Sequence, residues 1–278
     1  MLRARIITAL VLLFGLLAAL FLLPDVLWLC VSTAVCAAAA WEWGGLGRFS
    51  SAQRLVFAAC SALVCALAGV AAGLAGGEGV ALAQPLVLVP LYAASAVFWL
   101  TCIPLWLRNK WCLSSTAVAM GTGLVVLVPP ALALAHLRLI SPWFLLGIMA
   151  MVWVADIAAY FSGRAFGRRK LAPAISPGKT WEGAFGATVG VIVFGYAVLA
   201  LSGGSGLAWP YYLFALPLLL GFTAVSIIGD LFESLLKRQA GLKDSGTILP
   251  GHGGILDRID SLTSTLPMAG LLALWLAS

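Results

Sequence analysis

The 278-residue chain is 63% hydrophobic and only 9% charged, with a formal net charge of +6 at pH 7. Soluble domains average about 45–50% apolar and 25% charged residues, so a water-soluble globule is excluded, because too little polar surface is available to cover the hydrocarbon.

In chain order, apolar stretches long enough to cross a hydrocarbon core about 30 Å thick are predicted near residues 6–23, 26–43, 55–75, 85–107, 116–136, 143–163, 183–202, 211–231 and 260–277. The expected fold is an all-α, polytopic membrane bundle of about nine helices. It is read as a single membrane domain over 1–278, with 1–140 mainly scaffold and 141–278 carrying the chemistry. Arg3 and Arg5 precede the first stretch as in a signal peptide, but Leu23-Pro24-Asp25 offers no small-x-small cleavage site, so the stretch is read as a retained span. The six cysteines form no CxxC pair and read as small core residues.

With nine crossings, fifteen of the sixteen Lys and Arg fall on the side of the N-terminus, and only Arg138 falls on the other. Basic loops stay cytoplasmic, so the N-terminus is expected there. Trp28, Trp41, Trp43, Trp111, Trp143 and Trp209 lie near span ends and read as interfacial anchors. Glu42, between two of them, reads as a polar residue at a helix end.

Seven of the ten acidic residues lie between 156 and 260. Asp156 sits well inside the sixth span, where a carboxylate is expensive and function is the default reading. The eighth span continues through Asp230, Glu233, Ser234, Lys237 and Arg238, and the spacings of three, four and seven put the first three and Lys237 on one face. A salt-bridged helix end is the competing reading for Glu233 and Arg238. Asp257 and Asp260 share one helical turn where the chain re-enters the membrane. Two helix ends on one side can therefore gather Asp230, Asp257 and Asp260, with Asp156 in support, and crowded carboxylates are reconciled by a divalent cation with oxygen ligands. Mg²⁺ is the expected ion, with room for a second cation.

Between those helix ends, residues 241–254 hold five glycines with Lys243, Asp244 and His252. This loop reads either as a phosphate cradle or as a plain Gly-rich connection. In the other basic loop, Arg168, Arg169 and Lys170 read as topology or lipid contacts. Gly178-Lys179-Thr180 imitates the end of a P-loop, but Pro173 stands where that motif needs glycine. An anion- and metal-binding constellation at headgroup depth points to phosphoryl or nucleotidyl transfer to a lipid.

Ser234, Lys237, Arg238, Lys243, Asp244, Pro250-Gly251-His252-Gly253-Gly254, Asp257, Arg258, Asp260 and Ser261, at their spacing, resemble the signature of the phosphatidate cytidylyltransferases. Ser176-Pro177-Gly178-Lys179-Thr180-Trp181-Glu182-Gly183 and Trp41-Glu42-Trp43 resemble two further blocks of that family. The resemblance spans essentially the whole chain and is nearest to bacterial members. It implies conversion of phosphatidate and CTP to CDP-diacylglycerol and pyrophosphate, Mg²⁺ dependence, metal ligands at Asp230 and Asp257, a homodimer, and a place in the bacterial inner membrane. Lys179, Lys237, Arg238, Lys243 and Arg258 would hold phosphates, His252 would contact the phosphoryl chain, and Ser176, Asp244, Gly253 and Gly254 complete the expected substrate-binding set. No nucleic-acid partner is expected. A lipid-alcohol kinase and a secondary transporter are the rival readings. A transporter calls for repeat symmetry and midplane sites, whereas these acids gather at one face.

Overall fold

The computed structural model describes residues 2–76, 84–201, 209–249 and 251–277, with backbone alone for 2–6 and 209–211. Pro250 of the loop motif and the side chains of Arg3, Arg5 and Trp209 lie outside the described residues. The helices are α1 (Leu2–Leu22), α2 (Asp25–Leu46), α3 (Ser51–Ala71), α4 (Pro85–Val97), α5 (Ile103–Asn109), α6 (Thr116–Ile140), α7 (Pro142–Phe166), α8 (Trp181–Leu201), α9 (Trp209–Ala240) and α10 (Leu256–Ala277). A π-turn at Phe98–Cys102 joins α4 to α5 into one span. It lies just before Pro104, whose missing N–H leaves a carbonyl one turn back without its usual partner.

All nine expected spans fall on these helices. Among the described residues, eight helical segments, with α4 and α5 counted as one, are long and apolar enough to cross a membrane, and α1 adds the shorter apolar segment Ile7–Leu22. The chain is a multi-pass, all-α membrane protein. Boundaries follow local chemistry. Ser50 and Gln53 form a reciprocal capping box at the start of α3, and Ser115 Oγ accepts the Val118 N–H to open α6. Lys110 closes α5 in the left-handed conformation, φ 52°.

The only basic residue expected on the far side has a structural occupation. Arg138 is buried, pairs with Asp25 Oδ1 at 2.5 Å, and donates to the carbonyls of Leu20 and Leu23 where α1 ends. It fastens the first turn between helices.

α6 is enclosed by α2, α3, α4, α7 and α10 and forms the centre of the scaffold. α9 is keyed to that scaffold by Phe232, 1% exposed, which lies edge-on to Trp99 and Trp106 at 5.6 Å between ring centroids and 6.3 Å from Trp43. At 100° per residue, Asp230 is on nearly the opposite side of α9 from Phe232. Burying the ring in the aromatic nest therefore turns Asp230 toward α7, α8 and α10. α7 and α8 approach closely through small residues: a Cβ added at Gly183 would stand 3.0 Å from the Ala159 carbonyl, and one at Gly190 2.8 Å from Ala158 Cβ.

Candidate active site

The link between α7 and α8 folds as a hairpin that the sequence did not announce, β1 (Lys170–Ala172) antiparallel to β2 (Ser176–Thr180). Its base is closed by Glu182, whose carboxylate accepts the N–H groups of Arg168 at 3.0 Å and Arg169 at 3.2 Å, and by the Trp181 N–H donating to the Arg169 carbonyl at 2.9 Å. Thr180 Oγ1 accepts the Gly183 N–H at 3.1 Å and starts α8. Lys179 is thus fixed one residue before a capped helix, and its ammonium pairs with Asp230 of α9.

That pair stands in a cavity of about 540 Å³ between the hairpin, α7, α8 and α9. Asp156, Arg164, Ser176, Lys179, Asp230 and Ser261 supply its polar wall, and alanines and glycines of α7 and α8 much of the rest. Asp156, Asp230 and Asp260 lie within electrostatic reach of one another and of Lys179. Asp230 Oδ1 also accepts a hydrogen bond from Ser234 Oγ at 3.3 Å.

A second polar group adjoins the first across α9. Lys237 Nζ donates to Asp257 Oδ1 at 2.6 Å and stands 3.1 Å from Glu233, close enough for an ion pair but without hydrogen-bond alignment. Asp257 Oδ2 accepts the N–H groups of Ser245 and Gly254, both at 2.9 Å. Glu233 is within electrostatic reach of both Asp257 and Asp260, so it joins the two groups.

The expected residues therefore meet in a different arrangement from the one the spacing implied. Asp257 and Asp260 do share the first turn of α10, but they diverge. Asp260 faces Asp230 and Asp156, whereas Asp257 faces Lys237 and the loop. Each of the two aspartates put forward as metal ligands is held by its own lysine. The guanidinium of Arg258 donates to the His252 carbonyl at 3.0 and 2.7 Å, and that of Arg238 to the Leu242 carbonyl at 3.3 Å. Both arginines brace the loop 241–255 in this conformation. Gly254 spends its N–H on Asp257. Gly253 takes φ +82°, and a Cβ there would press to 2.9 Å from Asp257 Oδ2, so glycine is required. Lys243 and Asp244 are exposed on the loop. The imidazole Nδ1 of His252 is buried and without a hydrogen-bond partner.

Glu42 is the residue that the sequence reading undervalued. It is 1% exposed and accepts hydrogen bonds from Ser245 Oγ, the Ile255 N–H and the Leu256 N–H. Its signal in the sequence was an acid inside an apolar span, within a block shared with the family it resembles.

Among the described residues, no group of three or more His, Cys, Asp or Glu is arranged as a ready-made metal site. The donor set still fits a hard divalent cation. Asp156 and Asp230 line a largely apolar cavity with Lys179, Asp260 lies within electrostatic reach of all three, and oxygen ligands with room for water are what Mg²⁺ takes.

The sequence profile of the Cytidylyltransferase family matches residues 3–275. A phosphatidate cytidylyltransferase of Pseudomonas aeruginosa is 41% identical over 289 aligned positions, covering 100% of this chain and 98% of that protein. One from Haemophilus influenzae is 40% identical across 66% of this chain and 62% of its own length. One from Thermotoga maritima is 39% identical across 44% of this chain and 46% of its own length.

Proposed function

The chain belongs to the cytidylyltransferase family, and from that premise we infer that it converts phosphatidate and CTP to CDP-diacylglycerol and pyrophosphate. The observation that carries this reading to the site is the cavity in which Lys179 meets Asp230 beside Asp156. It presents acids and an ammonium together, at the end of the bundle where the basic loops gather. A phosphate oxygen of phosphatidate attacks the α-phosphorus of CTP, a P–O bond forms, the α–β anhydride bond breaks, and pyrophosphate leaves with the electron pair. The nucleophile is already ionised near neutral pH, so catalysis reduces to alignment and to neutralising charge.

Asp230, with Asp260 and Asp156 within reach of it, and Asp257 on its own side of α9 would hold Mg²⁺ and any second cation. When bound, the cation supplies charge neutralisation on the phosphates. Lys179 and Lys237 are the ammonium groups already lodged among these acids, and they are the donors for phosphate oxygens. Ser176 lines the same cavity. Lys243 and Asp244 on the exposed part of the loop, with His252, would meet the nucleotide, while Gly253 and Gly254 would serve it by letting the loop pack against Asp257 and Glu42. Arg238 and Arg258 fix the loop by their carbonyl contacts and keep further guanidinium N–H groups for phosphate oxygens.

The distribution of Lys and Arg supports a cytoplasmic N-terminus, and a homodimer in the bacterial inner membrane belongs to the same proposal. The deciding experiment supplies the purified protein with phosphatidate and CTP labelled at the α or the γ phosphate. Lipid-borne label from α-labelled CTP alone supports nucleotidyl transfer. Label from γ-labelled CTP alone would mean a kinase and overturn the proposal.

A further inference from the structure

The geometry points to Glu42 as a positioning residue for the transfer reaction, acting through the loop 241–255 and the first turn of α10; this inference rests on the cytidylyl-transfer reading.

Glu42 belongs to α2, in the scaffold half, and is not among the residues lining the cavity. The turn that bears it is itself held. Trp43 Nε1 donates to the Ala119 carbonyl at 2.8 Å, and its ring lies against Phe232. Arg54 Nε donates to the Trp41 carbonyl at 3.0 Å, with its guanidinium 4.4 Å from the centre of the Trp41 ring. From that fixed point Oε1 accepts the Ile255 N–H at 3.0 Å, while Oε2 accepts the Leu256 N–H at 2.8 Å and the Ser245 hydroxyl at 3.0 Å. Two of these donors are backbone groups at the N-terminal end of α10, where the helix dipole also favours a negative charge. A buried carboxylate with three donors and, among the described residues, no ion pair depends on all of them staying in place.

The loop has been fitted to this carboxylate. A Cβ at Gly246 would stand 2.4 Å from Glu42 Oε1, and one at Gly254 2.4 Å from Glu42 Oε2. Two of the glycines that could be read as a phosphate cradle are thus needed so that the chain can lie against an acid. Asp257 grips the same stretch from the other side through the Ser245 and Gly254 N–H groups. Ser245 is consequently held twice, by its hydroxyl on Glu42 and by its amide on Asp257. Releasing Glu42 frees the segment that fixes Asp257 against Lys237 and that carries Lys243 and His252, while the hairpin and Lys179 keep their own clamp on Glu182.

The test uses the full-length protein in lipid nanodiscs as wild type, Glu42→Gln, Glu42→Ala and Gly246→Ala. Glu42→Gln keeps shape and loses one of the two acceptor oxygens. Gly246→Ala pushes the loop off the carboxylate without touching α2, and it keeps the question answerable if a Glu42 variant does not accumulate. Hydrogen exchange across 245–256 is expected to quicken in every variant while that of 170–180 stays as in wild type. kcat/KM for CTP is expected to fall by about tenfold or more in Glu42→Ala, mainly through KM, with Glu42→Gln intermediate. Unchanged exchange in 245–256 would overturn the clamp. Faster exchange with unaltered kcat/KM would overturn its bearing on the reaction, and so would a fall in kcat alone that tracks the folded fraction. If wild type transfers no α-label from CTP to phosphatidate, the activity reading fails, and the exchange measurements still decide whether Glu42 holds the loop.

Discussion

Replacing Lys179 by alanine removes an ammonium that is three-quarters enclosed and paired with an aspartate of equal enclosure. Charge-assisted contacts contribute roughly 1.5–3 kcal/mol where solvent is largely excluded, and about 1.4 kcal/mol corresponds to a factor of ten. Residual exposure of both partners calls for the lower half of that range. Lys179→Ala should therefore reduce kcat/KM for CTP or phosphatidate by at least about tenfold. Arg169 provides the comparison. Its backbone N–H is what Glu182 holds at the base of the hairpin, and its side chain is exposed. Arg169→Ala keeps the N–H and loses only a surface charge, so the change should stay under about threefold. Rates for both variants, measured with labelled CTP in mixed micelles across a range of salt, separate the two. Surface charges are screened over about 8–10 Å at physiological ionic strength, so any Arg169 deficit should shrink with salt while the Lys179 deficit persists. Equal deficits that vanish together would refute the assignment and reduce the loop to an electrostatic collar.

Asp230→Asn and Asp257→Asn should each lower turnover by orders of magnitude in a protein that still inserts and folds, whereas Glu233→Gln should be milder; near-normal rates at saturating Mg²⁺ would remove that aspartate from the proposed ligand set. Phe232→Ala empties the aromatic nest that orients α9. Its cost should fall toward the lower end of the about 3–5 kcal/mol seen in soluble cores, because lipid or detergent supplies no hydrophobic drive, and an unchanged thermal midpoint in detergent would contradict the keying role. A reporter fused after residue 278 should read periplasmic and one within 167–180 cytoplasmic. A cytoplasmic C-terminus would overturn the nine-crossing arrangement.

The spans were legible because a helix crossing lipid must satisfy its backbone internally and be apolar along its whole length, a constraint that leaves a mark about twenty residues long. The face of α9 carrying Asp230, Glu233, Ser234 and Lys237 was legible for a related reason, since a helix makes spacing into direction. Rotation of one helix against another leaves no such mark. Spacing alone placed Asp230 beside Asp257, whereas Phe232 in its aromatic nest and the small residues between α7 and α8 turn Asp230 toward Asp156 and Lys179. The hairpin stayed hidden because strands of three and five residues containing Pro177 show no alternation to read.

Glu42 was obscured by a third cause. Its hydrogen-bond partners lie 203, 213 and 214 residues away along the chain, and two of the three are backbone N–H groups. A backbone amide looks the same in every residue but proline, so no pattern of side chains reports that an acid has been assigned to it. What the sequence does display is the counterpart, glycines at 246 and 254, and composition assigns these to an incoming phosphate as readily as to a carboxylate. The two readings make opposite demands on a Cβ. In a phosphate cradle an added methyl obstructs substrate and leaves the empty protein undisturbed, whereas here it collides with Glu42 before any substrate arrives. The scaffold half of the chain therefore reaches the loop through a buried acid as it reaches α9 through its tryptophans, and division of the sequence into a structural half and a reactive half describes where the polar residues are, not which residues hold them in place.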